Sequence, residues 1–288
     1  MRQLTDIVDL ISKVNNQAHH HCGYAGTETE EIHGTLLTDF SDLPLEESLV
    51  FSCENGKVKG VLGLAYDQKT HTGELWGPFI SDNGNLESAL SLWKQLLNQL
   101  SNVPEKVYGF YNVHNELGQS FMESLGAKRK KDQSILAIHK DAFQIKTNSD
   151  LSIKEVTESD HELFKVLHDE AFPETYYDAK MIIDKLDGEN KLFIAHKDDN
   201  FLGYAYCEAN PEYGEGDLHY LAVIPEARNH GTGSSLIQKS LEFMFSFHEI
   251  HEITLCVEAG NQGAVRAYKR AGFIEKHILA FYEVAVMR

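Results

Sequence analysis

The sequence predicts an α/β chain built as two tandem domains, 1–146 and 151–288. Three observations carry that expectation. Apolar runs of strand length alternate with amphipathic segments of helical spacing along the whole chain. The pattern then repeats: a shift of 146 positions sets Leu75 on Leu221, Leu90 on Leu236, Asn115 on Asn261 and Gly126 on Gly272 without a gap. Strand, turn, helix, strand, helix recur in the same order. Between the copies, the polar stretch 146–150 reads as a linker, and 288 residues leave room for two domains of ordinary size.

Composition narrows the class. With 42% hydrophobic and 24% charged residues, the chain reads as globular and soluble. No apolar run is long enough to cross a bilayer. Asp6 and Asp9 interrupt the one N-terminal stretch that resembles a signal peptide, so a cytoplasmic protein is expected. A formal charge of −18 argues against nucleic acid and anionic membranes as partners and favours a cationic one. Cys22, Cys53, Cys207 and Cys256 form no C-x-x-C pair. The last three lie in strand-like contexts and are expected as reduced core residues. His19-His20-His21-Cys22 and His33 are of metal-ligand type but lack ligand spacing. They read as a solvated helix end, and no metal is expected.

The elements follow in order. Ile7, Leu10, Ile11 and Val14 mark one face of a helix over 4–18, and 22–35 reads as polar loop. Asn55-Gly56 between the apolar runs 49–53 and 57–66 is a hairpin signal. A strand at 74–80, a helix at 86–100, a strand at 106–113, a helix at 115–125 closed by Gly126 and a strand at 134–139 complete the first copy. The second copy has strands at 151–155, 191–196, 201–208, 218–224 and 252–257, with closing strands over 277–286. Its helices are 159–171, 178–186, one through Leu236, Ile237, Leu241 and Met244, and 262–271. Residues 210–216 read as a loop feeding the strand 218–224, which Pro225 ends because proline cannot donate to a ladder.

The stretch 217–247 carries the chemistry. A strand runs into Arg228-Asn229-His230-Gly231-Thr232-Gly233-Ser234 and then into a helix. First-turn amides have no intrahelical partner and sit at the positive pole of the helix. Glycines at 231 and 233 leave the backbone open to an anion such as a pyrophosphate. Val223, Pro225, Arg228, Gly231, Gly233 and Leu236 form V-x-P-x-x-R-x-x-G-x-G-x-x-L. Downstream, 261–273 form N-x-x-A-x-x-x-Y-x-x-x-G-F. In this order the two motifs resemble the acyl-CoA-binding and second signatures of the GNAT superfamily of N-acyltransferases. The resemblance covers about the second half of the chain.

The resemblance implies the rest of the expectation. Each domain would be a mostly antiparallel mixed sheet flanked by helices. Acetyl-CoA would be the co-substrate and a primary amine the acceptor. Arg228, Asn229, His230, Gly231, Thr232, Gly233 and Ser234 would hold the pyrophosphate. Main-chain groups of Ala222 and Val223 would take the pantetheine arm in a slot between two splayed strands. Asn261 would cap its helix and touch the same arm. Tyr268 is the general-acid candidate, since a phenol of pKa about 10 can protonate a departing thiolate. Glu215, Asp217 and His219 are the base candidates, and Cys256 stands where several relatives keep an acid. Strand alternation puts Asp217 and His219 on one face, Leu218 and Tyr220 on the other. The segment 172–177, with Glu174, Tyr176 and Tyr177, suits amine recognition by cation–π contact.

The first copy departs from this pattern. Asp82 stands for Arg228, Asn85 for Gly231, Glu87 for Gly233 and Met122 for Tyr268, so no acyl-CoA binding is expected there. The remaining alternatives are the same fold with a longer acyl donor and an acyl-CoA-binding regulatory module without turnover.

Overall fold

A computed structural model of the chain describes residues 2–81, 84–144, 151–173 and 175–286. Asp82, the linker 146–150 and Glu174 lie outside the described residues. The chain divides into two compact units, Met1–Gln133 with His277–Arg288, and Ser134–Lys276. This corrects the linear split at 146–151. The segment from Ser134 counts with the second unit, and the C-terminal segment from His277 counts with the first. A repeat orders the elements along the chain, but long-range pairing decides which sheet a terminal strand joins.

In chain order the elements are α1 (Arg2–Asn15), α2 (Thr29–Thr38), α3 (Leu45–Ser48), β1 (Leu49–Glu54), β2 (Lys57–Asp67), β3 (Thr72–Ile80), α4 (Leu86–Gln99), β4 (Lys106–Asn112), α5 (Glu116–Ser124) and β5 (Lys128–Arg129). Then come β6 (Gln133–His139), β7 (Ser152–Glu155), α6 (His161–Ala171), α7 (Ala179–Lys185), β8 (Asn190–Lys197), β9 (Asn200–Asn210), β10 (Glu215–Val223), α8 (Thr232–Met244), β11 (Glu252–Glu258), α9 (Gln262–Ala271) and β12 (Ile274–Ala285).

Within the first unit the strand order is β1-β2-β3-β4-β12, with β5 also on β12. There β1 with β2, β2 with β3, β4 with β12 and β5 with β12 pair antiparallel, while β3 and β4 run parallel. Within the second unit the order is β6-β11-β10-β9-β8-β7. There β10 and β11 run parallel, while β9 pairs antiparallel with β10 and β8, and β8 with β7. Each unit is thus a mostly antiparallel mixed sheet with helices, as expected.

Local chemistry explains most boundaries. Asn55 and Gly56 take φ of 51° and 73°, as a tight two-residue hairpin turn requires. Asn85, Asn115, Asp178 and Asn261 each cap a helix through a side-chain oxygen. The apolar face of α8 buries Leu236, Ile237, Leu241 and Met244 completely. Each such side chain contributes about 1.5–3 kcal/mol of burial. They share a core with Phe193, Ala195, Ala205, Cys207 and Leu218. The opposite face of the same sheet packs Leu192, Ile194, Tyr204, Tyr206, Tyr220 and Ala222 with Phe164 of α6 and Ile182 of α7.

Several expectations fail for identifiable reasons. Residues 22–35 are not all loop, because Thr29–Thr38 is helical and buries Ile32 and Leu36. Gly34 and the threonines mask that helix in the sequence. The loop expected over 210–216 is shorter, a four-residue turn at 211–214, since β9 runs to Asn210 and β10 starts at Glu215. The closing strands are one strand, β12. Cys53 and Cys256 are exposed rather than core, while Cys22 and Cys207 are buried. His19 and His33 are exposed as expected, but His21 is not part of a solvated helix end. His21 is buried, donates from Nδ1 to Asn15 O at 3.0 Å and stacks on His277 with centroids 3.9 Å apart. Burial lowers the His21 pKa. Among the described residues no group of three His, Cys, Asp or Glu side chains could hold a metal, and no helix is long and apolar enough to cross a membrane.

Candidate functional site

The second unit opens a slot between β10 and β11. The two strands pair at Glu215↔Glu252, Gly216↔Ile253 and Asp217↔Thr254, and the ladder ends there. β10 continues for six more residues, to Val223, still paired with β9. The parallel neighbours therefore diverge toward the end at which β10 meets the glycine turn.

That turn is built for open amides. Gly231 is the N-cap of α8 at φ 89° and ψ −8°, and no side chain caps this helix. The first intrahelical bond runs from Ser235 N–H to Gly231 O at 3.0 Å. The amides of Thr232, Gly233 and Ser234 therefore precede the ladder, at the positive pole. A Cβ on Gly231 would meet nothing within 4 Å, and one on Gly233 would meet only Val223 at 3.8 Å. The corner is open, and Asn229, with φ of 63°, is exposed with Arg228 and His230 beside it. These features fit a diphosphate held by main chain. The Arg228 guanidinium is not a free loop charge: its Nε donates to Val223 O at 3.0 Å. That bond ties the turn back to the end of β10.

Across the slot, Asn261 accepts from Ala264 N–H at 3.2 Å and starts α9. Tyr268 lies on the buried face of α9, with its ring edge-to-face with Phe273 at 5.7 Å. Burial pushes its phenol well above the ordinary value, which keeps it protonated and able to donate. Cys256 sits on the diverging part of β11.

The three base candidates separate by height along β10. Glu215 and Asp217 lie on the paired part. Asp217 also accepts from Thr254 Oγ1 at 2.7 Å, a bond that pins it at the last rung. His219 lies beyond that rung and at a bulge, because pairing with β9 jumps from Leu218↔Cys207 to Tyr220↔Tyr206. The extra residue corrects the alternation expected from sequence. Leu218 packs toward α8, but Tyr220 packs toward α6 and α7, on the face where His219 meets Tyr177 and Tyr206 at 5.8 and 6.0 Å.

Around His219 the fold assembles groups that the motifs did not single out. Glu208 of β9 takes His219 Nε2 at 3.3 Å, Lys185 Nζ at 2.8 Å and the Tyr206 hydroxyl at 2.5 Å. Burial alone would raise the Glu208 pKa, but bonds from His219, Lys185 and Tyr206 outweigh it and bring it to about 2. Lys185 also donates to the Tyr177 hydroxyl at 2.8 Å and lies 4.2 Å over that ring. The aromatic face expected to receive an amine is thus covered by the chain's own lysine. Tyr176 is 82% exposed, and its ring lies 4.7 Å from that of Tyr177 at a tilt of 60°. The Tyr220 hydroxyl meets Thr175 Oγ1 at 2.5 Å and Tyr177 N–H at 3.2 Å, which holds the 175–177 segment against β10. The only sequence signal for Glu208 was a carboxylate at the end of an apolar strand, and register alone brings it to His219.

Residues 153–273 match the acetyltransferase (GNAT) family. A mycothiol acetyltransferase of Paenarthrobacter aurescens is 27% identical over 101 residues, covering 34% of this chain and 31% of that protein. A GCN5-related N-acetyltransferase structure from Sphaerobacter thermophilus aligns over 98% of this chain and 92% of its own, with TM-score 0.70 and 18% identity. A tandem GNAT protein from the clavulanic acid biosynthesis pathway aligns over 99% and 95%, with TM-score 0.56 and 13% identity. The structural likeness extends the fold to both units. The matched stretch spans 31% to 63% of the length of the first curated relatives.

Proposed function

We propose that this chain, whose residues 153–273 match the acetyltransferase (GNAT) family, moves an acetyl group from acetyl-CoA to a primary amine. One observation carries the reading: β10 parts from β11 at Asp217↔Thr254, and the uncapped N-terminus of α8 stands where β10 ends. Bound acetyl-CoA supplies an activated thioester, and the chain's residues do the rest. Amides of Gly231, Thr232, Gly233 and Ser234, with Asn229 and His230 in the same turn, hold the diphosphate. Arg228 adds charge from its anchored position. Main-chain groups of Ala222 and Val223, with Asn261 opposite, align the arm in the slot. His219 takes the proton from the amine, and Tyr268 returns one to the leaving sulfur. Of the three carboxylate and imidazole candidates, His219 is preferred because it alone lies past the last rung. The second unit does this work. The first neither binds acyl-CoA nor reacts.

The acceptor is an amine small enough to reach the β10 bulge, and the charge of −18 favours a cationic one. The test is thiol release from acetyl-CoA over a panel of peptide N-termini, lysine, polyamines and aminosugars. Tyr268→Phe should lower kcat about a hundredfold and leave the affinity for acetyl-CoA within twofold. A wild-type kcat in that variant would reject the acid. Acetyl-CoA binding without thiol release on any amine would replace the enzyme by a binding module. Turnover with a longer acyl-CoA alone would correct the donor.

A further inference from the structure

We infer that Glu208 is a positioning residue for His219, holding the ring so that Nδ1 is the nitrogen presented to the acceptor. The inference rests on the reading of His219 as base. Its grounds are geometric. Glu208 Oε2 faces His219 Nε2 at 3.3 Å, while Oε1 takes Lys185 Nζ at 2.8 Å and the Tyr206 hydroxyl at 2.5 Å. Partners on both oxygens leave the carboxylate no freedom to turn. An ionised carboxylate only accepts, so the nitrogen facing it carries the hydrogen. In a neutral imidazole the other nitrogen then holds the lone pair.

The surroundings fix the ring as well as its tautomer. Tyr177 stands edge-on to His219 at 5.8 Å, and Tyr206 and Tyr220 lie at 6.0 and 6.2 Å. Tyr177 is itself held by Lys185, and Tyr220 by Thr175 and Tyr177 N–H. The charged groups around the ring are Glu208 of β9 and Lys185 of α7, with Asp217 two residues back on β10 and bound to Thr254. Lys185 shares the carboxylate, and the Glu208 pKa of about 2 keeps that group ionised. Glu208 therefore does not take the proton. When His219 gains one at Nδ1, the imidazolium it forms already faces a fixed negative charge. The bulge makes the arrangement possible, because regular pairing would turn residue 219 or residue 220 to the opposite face.

The tautomer is read without any substrate. Nitrogen-15 correlation spectra of the full chain, labelled at histidine and recorded above the imidazole titration, report which ring nitrogen carries hydrogen. The His219 signals are assigned by their loss in His219→Gln. The expected result is an Nε2–H ring in the wild type and loss of that preference in Glu208→Gln. With an active amine, Glu208→Gln should lower kcat about tenfold or more, with the affinity for acetyl-CoA within twofold, and Glu208→Asp should recover part of the loss. An Nδ1–H ring in the wild type overturns the inference, whether or not Glu208→Gln folds. So does an unchanged tautomer in a folded Glu208→Gln. An Nε2–H ring together with full activity in His219→Gln would leave the positioning intact and reject only the base.

Discussion

Both units part a parallel strand pair after three rungs, yet only one leaves the gap open. In the second unit β10 leaves β11 after Asp217↔Thr254. In the first, β3 leaves β4 after Glu74↔Tyr108, and by the shift of 146 Tyr108 is the counterpart of Thr254. There the chain fills its own slot. Gly23 N–H donates to Phe110 O at 2.7 Å, and Asn112 N–H donates to His21 O at 3.0 Å, so residues 21–23 run along the edge that β3 vacates. The fully buried Tyr111 donates its hydroxyl to Gly77 O at 2.6 Å, and Cys22 Sγ reaches Leu75 O at 3.2 Å. Asn115 caps α5 as Asn261 caps α9, but its Nδ2 also donates to His21 O at 3.2 Å. At the head of α4, Asn85 Oδ1 accepts the amide of Ser88 at 3.0 Å, a first-turn donor that α8 leaves uncapped. The same framework is an open corner in one copy and a self-satisfied core in the other. A fold's slot is a site only when its backbone polar groups are left for a ligand.

The comparison can be broken at several points. The largest effect is expected at the open corner. Gly231→Asp sets a carboxylate among the α8 amides and forces a side chain onto φ 89°. Affinity for acetyl-CoA should fall at least about a hundredfold, or ~2.7 kcal/mol, read as loss of its thermal shift. An unchanged shift removes the diphosphate assignment. Next comes the plug. Tyr111→Ala should cost about 3–5 kcal/mol in urea unfolding, the range for a large aromatic lost from a core. Combined with Gly231→Asp, it should still give no thermal shift with acetyl-CoA, because Asn85 continues to cap α4. A shift in that double variant would show that a single side chain closes the first slot. The smallest effects are at the paired caps. Asn261→Ala should cost about 1 kcal/mol, the value of an N-cap. Asn115→Ala should cost about 0.5–1.5 kcal/mol more, since it also removes one of the two donors to the buried His21 carbonyl. Equal costs at the two positions would show that Asn115 does not hold the plug.

Much of this was legible in the sequence because it is local. The Asn-Gly hairpin, the asparagine caps, the α8 face and the glycine turn are each specified within a few residues. The repeat of 146 found the equivalent elements, and the loss of Gly231 and Gly233 to Asn85 and Glu87 marked the first copy as altered. What blocks that copy was not legible. The plug comes from residues 21–23, far from the strand they line. Nothing in His-His-Cys-Gly announces a strand-like bridge to Tyr111. Nor did alternation along β10 survive, since a single bulge moved Tyr220 to the face of His219.

By itself the sequence determined the two signatures, the order of elements and the chemical types available at the corner, because backbone conformation at glycine, asparagine and proline is a short-range property. Only the tertiary structure decided that Glu208 meets His219, that Lys185 covers Tyr177, that the final strand joins the first unit and that one slot is filled. Those outcomes depend on strand register and on contacts between residues far apart in the chain, and a pattern of residue types carries no information about register until the strands are paired.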